Sequence, residues 1–137
     1  MNLANAYLGS VKKRFLSYKE LGDKTFEQLS DDDIHWRSND ASNSIAIIVN
    51  HLSGNMLSRW TDFLTSDGEK SWRQRDAEFE DHLSTKNEMI AAWEKGWQCV
   101  MDALEKLQEE DLSKTIYIRN EPHIVIDAIN RQLSHYA

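Results

Sequence analysis

The chain has 137 residues, of which 40% are hydrophobic and 28% charged, and its formal net charge is −7. This length suits a single domain with its own hydrophobic core, and 5 glycines with 1 proline leave too few turn residues for an all-β fold. The negative charge argues against nucleic acid as a partner, and no apolar run reaches the roughly 20 residues of a membrane span.

The first predicted helix carries apolar residues at helical spacing from Leu3 to Tyr18. It is expected either to fade near Gly22 or to continue more weakly through Phe26 and Leu29. Ser30 is followed by three aspartates, which is the pattern of a helix N-cap with acidic residues in the first turn.

The second helix is predicted to begin at one of the residues 42–44 and to run to about Leu64. His51 lies within its apolar stretch. Gly54 costs about 1 kcal/mol relative to alanine in a helix, so its presence is reasonable where a neighbouring element or a ligand approaches closely. The predicted core stripe of this helix consists of Ile45, Ile48, Leu52, Met56, Trp60 and Phe63.

Residues 65–84 form a polar connection, and long connections of this kind are often functional. Trp72 stands out there, as a residue that packs, covers a pocket mouth or marks a dimer contact. Thr85 and Glu88 form a capping-box pattern that opens helix three, with a core stripe from Ile90 to Leu107.

The single cysteine, Cys99, lies on helix three and is interpreted as a buried, inert thiol rather than a nucleophile. One cysteine cannot form an intrachain disulfide and suits a reducing compartment. The sequence therefore predicts a cytoplasmic protein.

Helix three is expected to end in solvent at residues 109–111, and residues 115–118 are expected to be briefly extended. Asn120 or Glu121 would cap helix four, with Pro122 near its first position. Residues 134–137 carry no helix-stop signal. The prediction is one domain, 1–137, whose last helix is cut short relative to a longer protein.

Two runs carry a resemblance to a known family: IAIIVNHLSGNMLSRWTDFLTSDGEKSWRQRDAEFED and IYIRNEPHIVIDAINRQLSHYA. With them, essentially the whole chain resembles the DinB-like (YfiT-like) superfamily, and most closely a bacillus-type branch of it. The resemblance implies an all-α, four-helix, up-down-down-up bundle with a long connection between helices two and three. Many members bind a divalent metal through one histidine on helix two and an H-x-x-x-H pair on the last helix.

The resemblance places metal ligands at His51 and His135. The second histidine of the pair would fall four positions after His135, beyond this chain. It implies a divalent metal (zinc, nickel, iron or manganese), with a low-molecular-weight thiol as a further cofactor, and a thiol S-transferase or a hydrolase acting on a small molecule. The alternative is a non-catalytic helical-bundle homodimer with a degenerate or empty metal site.

Three polar residues follow His51 at helical spacing, namely Asn55, Arg59 and Asp62. They are predicted to rim a pocket and bind substrate, and the open alternative is an ordinary solvated flank of the helix. His123, beside the predicted start of helix four, would rim the same pocket or lie at the surface.

Two further histidines, His35 and His82, are interpreted as solvated because their surroundings in the sequence are polar.

Overall fold

The computed structural model describes residues 2–137 and is mostly helical. Its four helices are α1 (Leu3–Glu27), α2 (Ile45–Trp60), α3 (Lys86–Lys106) and α4 (Val125–Tyr136). Strands β1 (Thr115–Ile118) and β2 (Glu121–Ile124) form an antiparallel hairpin before α4, a small sheet that the all-α expectation did not include. None of the helices in residues 2–137 is long and apolar enough to cross a membrane.

Helix α1 continues to Glu27, the longer of the two predicted alternatives. Phe26 is buried and packs edge-on against Trp93, with ring centroids 5.1 Å apart, and this contact holds the last turns of the helix in place. Gly22 lies directly under the Trp93 ring, where any side chain would overlap the indole. The glycine therefore permits the packing of α1 against α3.

Helix α2 begins after Ser44, whose hydroxyl accepts a hydrogen bond from the Ile47 amide, as predicted. It ends at Trp60 rather than near Leu64, because Thr61 is extended, with ψ of 127°, and Asp62 then adopts a left-handed conformation with φ of 48°. The predicted core stripe is wrong at Ile48, which is 46% exposed. The first turns of α2 are apolar on every side, so periodicity alone does not select the buried face.

Helix α3 begins after Thr85, as the capping-box pattern predicts. The Thr85 hydroxyl accepts from the Glu88 amide at 3.2 Å, and the Glu88 carboxylate accepts from the Ser84 amide at 3.1 Å. The helix ends at Lys106, and the expectation that residues 109–111 lie in solvent is confirmed for Glu109 and Glu110 but wrong for Asp111. Asp111 is buried and accepts hydrogen bonds from the Gln108 amide and the Lys114 ammonium.

The extended segment at 115–118 is β1, but Asn120, Glu121 and Pro122 do not start helix four. Arg119 and Asn120 have φ of 53° and 65°, the conformation of a two-residue hairpin turn, and β2 follows it directly. Asparagine tolerates this left-handed conformation as readily as it caps a helix, so the turn competes with the cap for the same sequence signal. Helix α4 begins only at Val125.

The four helices meet in one aromatic cluster. The fully buried ring of Phe15 on α1 contacts Trp60 of α2, Trp97 of α3 and Tyr136 of α4, with centroids 5.8, 6.0 and 6.0 Å away. The Tyr136 hydroxyl also donates to Asn55 Oδ1 at 2.7 Å and accepts from Trp60 Nε1 at 3.1 Å. These contacts fix the end of α4 against α2.

Candidate metal centre

The structure brings His51 and His135 together. Their ring centroids are 5.7 Å apart, and the ring planes are nearly perpendicular, at 86°. His51 is presented by the middle of α2 and His135 by the last turn of α4, next to the anchored Tyr136. Both rings line one cavity of about 560 Å³.

The orientation of His51 is set by Glu78, a buried residue of the connection between α2 and α3. His51 Nδ1 lies 3.0 Å from Glu78 Oε1. Arg73 donates to both oxygens of the same carboxylate, at 2.9 and 3.0 Å, so Glu78 is a hydrogen-bond acceptor only. His51 Nδ1 therefore donates, and Nε2 of the neutral ring keeps its lone pair. A carboxylate behind the imidazole is the usual outer partner of a metal-ligating histidine.

His135 lies at the mouth of the cavity, and its pKa is lowered from the ordinary value for histidine. Partial burial of the ring is the largest cause, and the electrostatic effects of the neighbouring His51 and of the guanidinium groups of Arg59, Arg73 and Arg131 act in the same direction. The lowered pKa favours the neutral form of the ring. Neutral imidazole is the form that binds a metal.

The histidine pair offers two ligands. Across residues 2–137 there is no group of three or more His, Cys, Asp or Glu side chains placed to hold one ion. Catalytic zinc sites generally use three protein ligands, so the pair supplies two of the three donors that such a site uses.

Two of the predicted substrate-binding residues, Asn55 and Arg59, lie in the wall of this cavity, and both are buried. Asn55 accepts from Tyr136, and Arg59 NH1 donates to the Gly68 carbonyl at 2.7 Å and approaches Glu69 at 3.4 Å. These contacts attach α4 and the long connection to α2. A role for the two residues in substrate binding stays a prediction.

The structure does not bring Asp62 or His123 to the cavity, which corrects the expected continuous rim. Asp62 lies beyond the end of α2 and lines a separate cavity, because the helix that would have carried the rim onward stops at Trp60. His123 lies on β2, where its Nε2 accepts from Arg131 NH1 at 3.4 Å.

Of the other two histidines, His35 is not simply solvated. Its Nδ1 lies 2.7 Å from Asp81 Oδ2 and its Nε2 lies 3.1 Å from the Ser84 carbonyl, so it ties the turn after α1 to the long connection. The side chain of His82 is 54% exposed, as predicted.

Cys99 is half-buried, with its Sγ 3.5 Å from Thr61 Oγ1, and it lines the same cavity as Asp62. Trp72 is 55% exposed and does not line the cavity of the two histidines.

Sequence reasoning missed Glu78 and Arg73, although Gly54 carried a signal for them. A Cβ at Gly54 would overlap the Glu78 carboxylate. The absence of a side chain at Gly54 therefore lets Glu78 of the long connection pack against α2, one turn from His51. The expected close approach at this position is therefore present, and the approaching group is a glutamate of the connection. Three arginines of the cavity wall were missed as well: Arg75, Arg119 and Arg131.

These observations define a predominantly helical protein with a paired-histidine cavity at the junction of α2, α4 and the long connection. The family described as "Protein of unknown function (DUF1572)" matches residues 2–137, and the chain belongs to that family. No curated protein and no solved structure matches the chain.

Proposed function

We propose that His51 and His135 bind a divalent metal ion, and that this site serves an enzyme acting on a small molecule as a thiol S-transferase or a hydrolase. The observation that carries the proposal is the arrangement around His51. Its Nδ1 is held by a carboxylate to which Arg73 donates through two nitrogens, and the centroid of its ring lies 5.7 Å from that of His135. An outer partner of this kind is expected where a histidine must present Nε2 in one fixed direction.

The resemblance to the DinB-like superfamily supports the same proposal. It implies an up-down-down-up arrangement of the four helices and metal ligands at His51 and His135. On this proposal residues 1–137 are one domain of that kind, in a cytoplasmic protein.

The chain's own residues would have distinct tasks. His51 and His135 would hold the ion, Glu78 would fix the His51 ring, and the bond from Tyr136 to Asn55 would keep the two helices at the observed spacing. A divalent ion held by imidazoles with open positions lowers the pKa of a bound thiol or water toward neutrality. Zinc, nickel, iron and manganese are the candidates, and availability usually decides among such metals.

Isothermal titration calorimetry with Zn²⁺ and Ni²⁺ on chelator-treated protein tests the proposal. About one ion per chain is expected to bind, and His51→Ala is expected to weaken binding by more than about 100-fold, beyond the 10–100-fold cost of losing an outer partner. His82→Ala is the matched control, because His82 is exposed and lies outside the cavity. Absence of stoichiometric binding, or equal losses in the two variants, would contradict the proposal.

A second candidate is a non-catalytic homodimer. Two exposed tryptophans, Trp36 at 71% and Trp72 at 55%, favour it, as does the count of two ligands in the described chain. A concentration-dependent dimer in sedimentation, together with a melting temperature indifferent to added metal, would select this reading.

A further inference from the structure

The cavity of the two histidines is also lined by four arginines. Arg59 comes from α2, Arg75 from the long connection, Arg119 from the hairpin turn and Arg131 from α4. Four separate segments of an acidic chain thus place guanidinium groups around one cavity of about 560 Å³. Like charges gathered in this way repel each other unless counter-charges are close by.

The carboxylates nearby are too few to balance these arginines. Glu69 is shared by four guanidinium groups: Arg119 at 3.0 Å, Arg73 at 3.3 Å, Arg59 at 3.4 Å and Arg75 at 4.0 Å. Arg75 is at the distance limit of an ion pair and its side chain is 48% exposed. Glu78 balances Arg73, which leaves Glu69 as the one carboxylate in ion-pair contact with Arg59, Arg75 and Arg119, so the group keeps an excess of positive charge.

Two further contacts, of Glu78 with Arg73 and of Arg131 with His123, do not remove this excess of positive charge. Glu78 is already bound by Arg73 through both oxygens. Within the part of the chain that the structure describes, Arg131 makes no ion pair with a carboxylate, and its NH1 donates only a long bond to the His123 ring. The exposed guanidinium of Arg131 is therefore available at the cavity.

Two residues that line the cavity contribute polar atoms that are buried without a hydrogen-bond partner among residues 2–137. They are Nε of Arg59 and Oε1 of Gln132, a side chain that is only 3% exposed. Buried polar groups are nearly always paired in native structures. Because both atoms are themselves buried, they mark unpaired polarity behind the cavity wall and do not by themselves contact a ligand in the cavity.

From these observations we infer that the cavity binds the anionic end, a carboxylate or a phosphate, of a small organic molecule through Arg75, Arg119 and Arg131. The inference deepens the proposed function and rests on it only for the reacting end of the molecule, which would face His51 and His135. The anion would also offset the repulsion between a bound dication and the arginines. Guanidinium groups suit this task because their paired N–H donors match carboxylate and phosphate oxygens.

Equilibrium binding of inorganic phosphate and of succinate to metal-free protein at low salt tests the inference. Saturable binding of at least one of the two probes is expected, weakening as salt is raised. Arg131→Gln and Arg75→Gln are each expected to weaken it by about tenfold or more, the usual worth of one hydrogen bond to a charged group. Both residues are exposed, so neither change should affect folding.

Arg14→Gln is the matched control, because Arg14 is an exposed arginine of α1 outside the cavity. Binding of phosphate alone would indicate a phosphate ester, and binding of succinate alone a carboxylic acid. Binding of neither probe, or equal losses in Arg14→Gln and Arg131→Gln, would overturn the inference. Because the measurement uses no metal, its result is separate from the outcome of the metal titration.

Discussion

Replacing Glu78 with alanine is expected to lower the free energy of unfolding by about 3–5 kcal/mol, the cost of breaking a buried ion pair from one side. The Arg73 side chain is 1% exposed and donates to both Glu78 oxygens. Without Glu78 its charge would remain buried with only Glu69, at 3.3 Å, as a partner. Urea denaturation of the variant and the parent protein measures the difference.

The matched control is Glu80→Ala in the same connection. Glu80 is 69% exposed and pairs with the exposed His82, so the change should stay within about 0.5 kcal/mol. A double variant, Glu78→Ala with Arg73→Met, should recover part of the lost stability because it removes the stranded charge. Equal effects of Glu78→Ala and Glu80→Ala on the free energy of unfolding would show that the Arg73–Glu78 ion pair does not form.

Tyr136→Phe is expected to lower the free energy of unfolding by about 2–3 kcal/mol, since an unpaired buried polar group costs roughly 1–3 kcal/mol. The Tyr136 hydroxyl bridges Trp60 Nε1 and Asn55 Oδ1, and all three residues are buried. Burial also raises the pKa of Tyr136 far above its ordinary value, so the hydroxyl stays protonated and able to donate. Its removal would leave one donor and one acceptor unsatisfied.

Tyr117→Phe is the control for this variant, because Tyr117 lies on β1 and is 51% exposed. Loss of the Tyr117 hydroxyl should lower the free energy of unfolding by less than about 0.5 kcal/mol. Guanidinium chloride denaturation of both variants measures the two free energies of unfolding. If Tyr136→Phe is as stable as Tyr117→Phe, the bridge between α4 and α2 does not hold the two histidines together.

Local signals predicted the parts of the fold that depend on neighbours in sequence. Ser44 and Thr85 cap α2 and α3 with their own hydroxyls, as their positions before an apolar stretch predict. The same signals failed where two local structures compete for one residue type. The sequence predicts Asn120 or Glu121 as a helix cap, but Asn120 occupies the hairpin turn instead.

Less of the site could be predicted from the sequence, because the residues that form it are far apart along the chain. Glu78 reaches His51 from 27 positions away, through a connection with no regular period, so no spacing rule links the two. The four arginines come from four segments and converge only in the fold. The pairing of His51 with His135 was expected from the family resemblance, since nothing in the residues near Ala137 singles out His135.

The most direct test of the account is electron paramagnetic resonance of protein loaded with one equivalent of Cu²⁺, the divalent first-row ion that nitrogen ligands bind most tightly. The wild-type spectrum is expected to show superhyperfine coupling to two imidazole nitrogens, and His51→Ala and His135→Ala should each show one fewer. The same nitrogen count in all three proteins would contradict the claim that the two histidines bind one ion together.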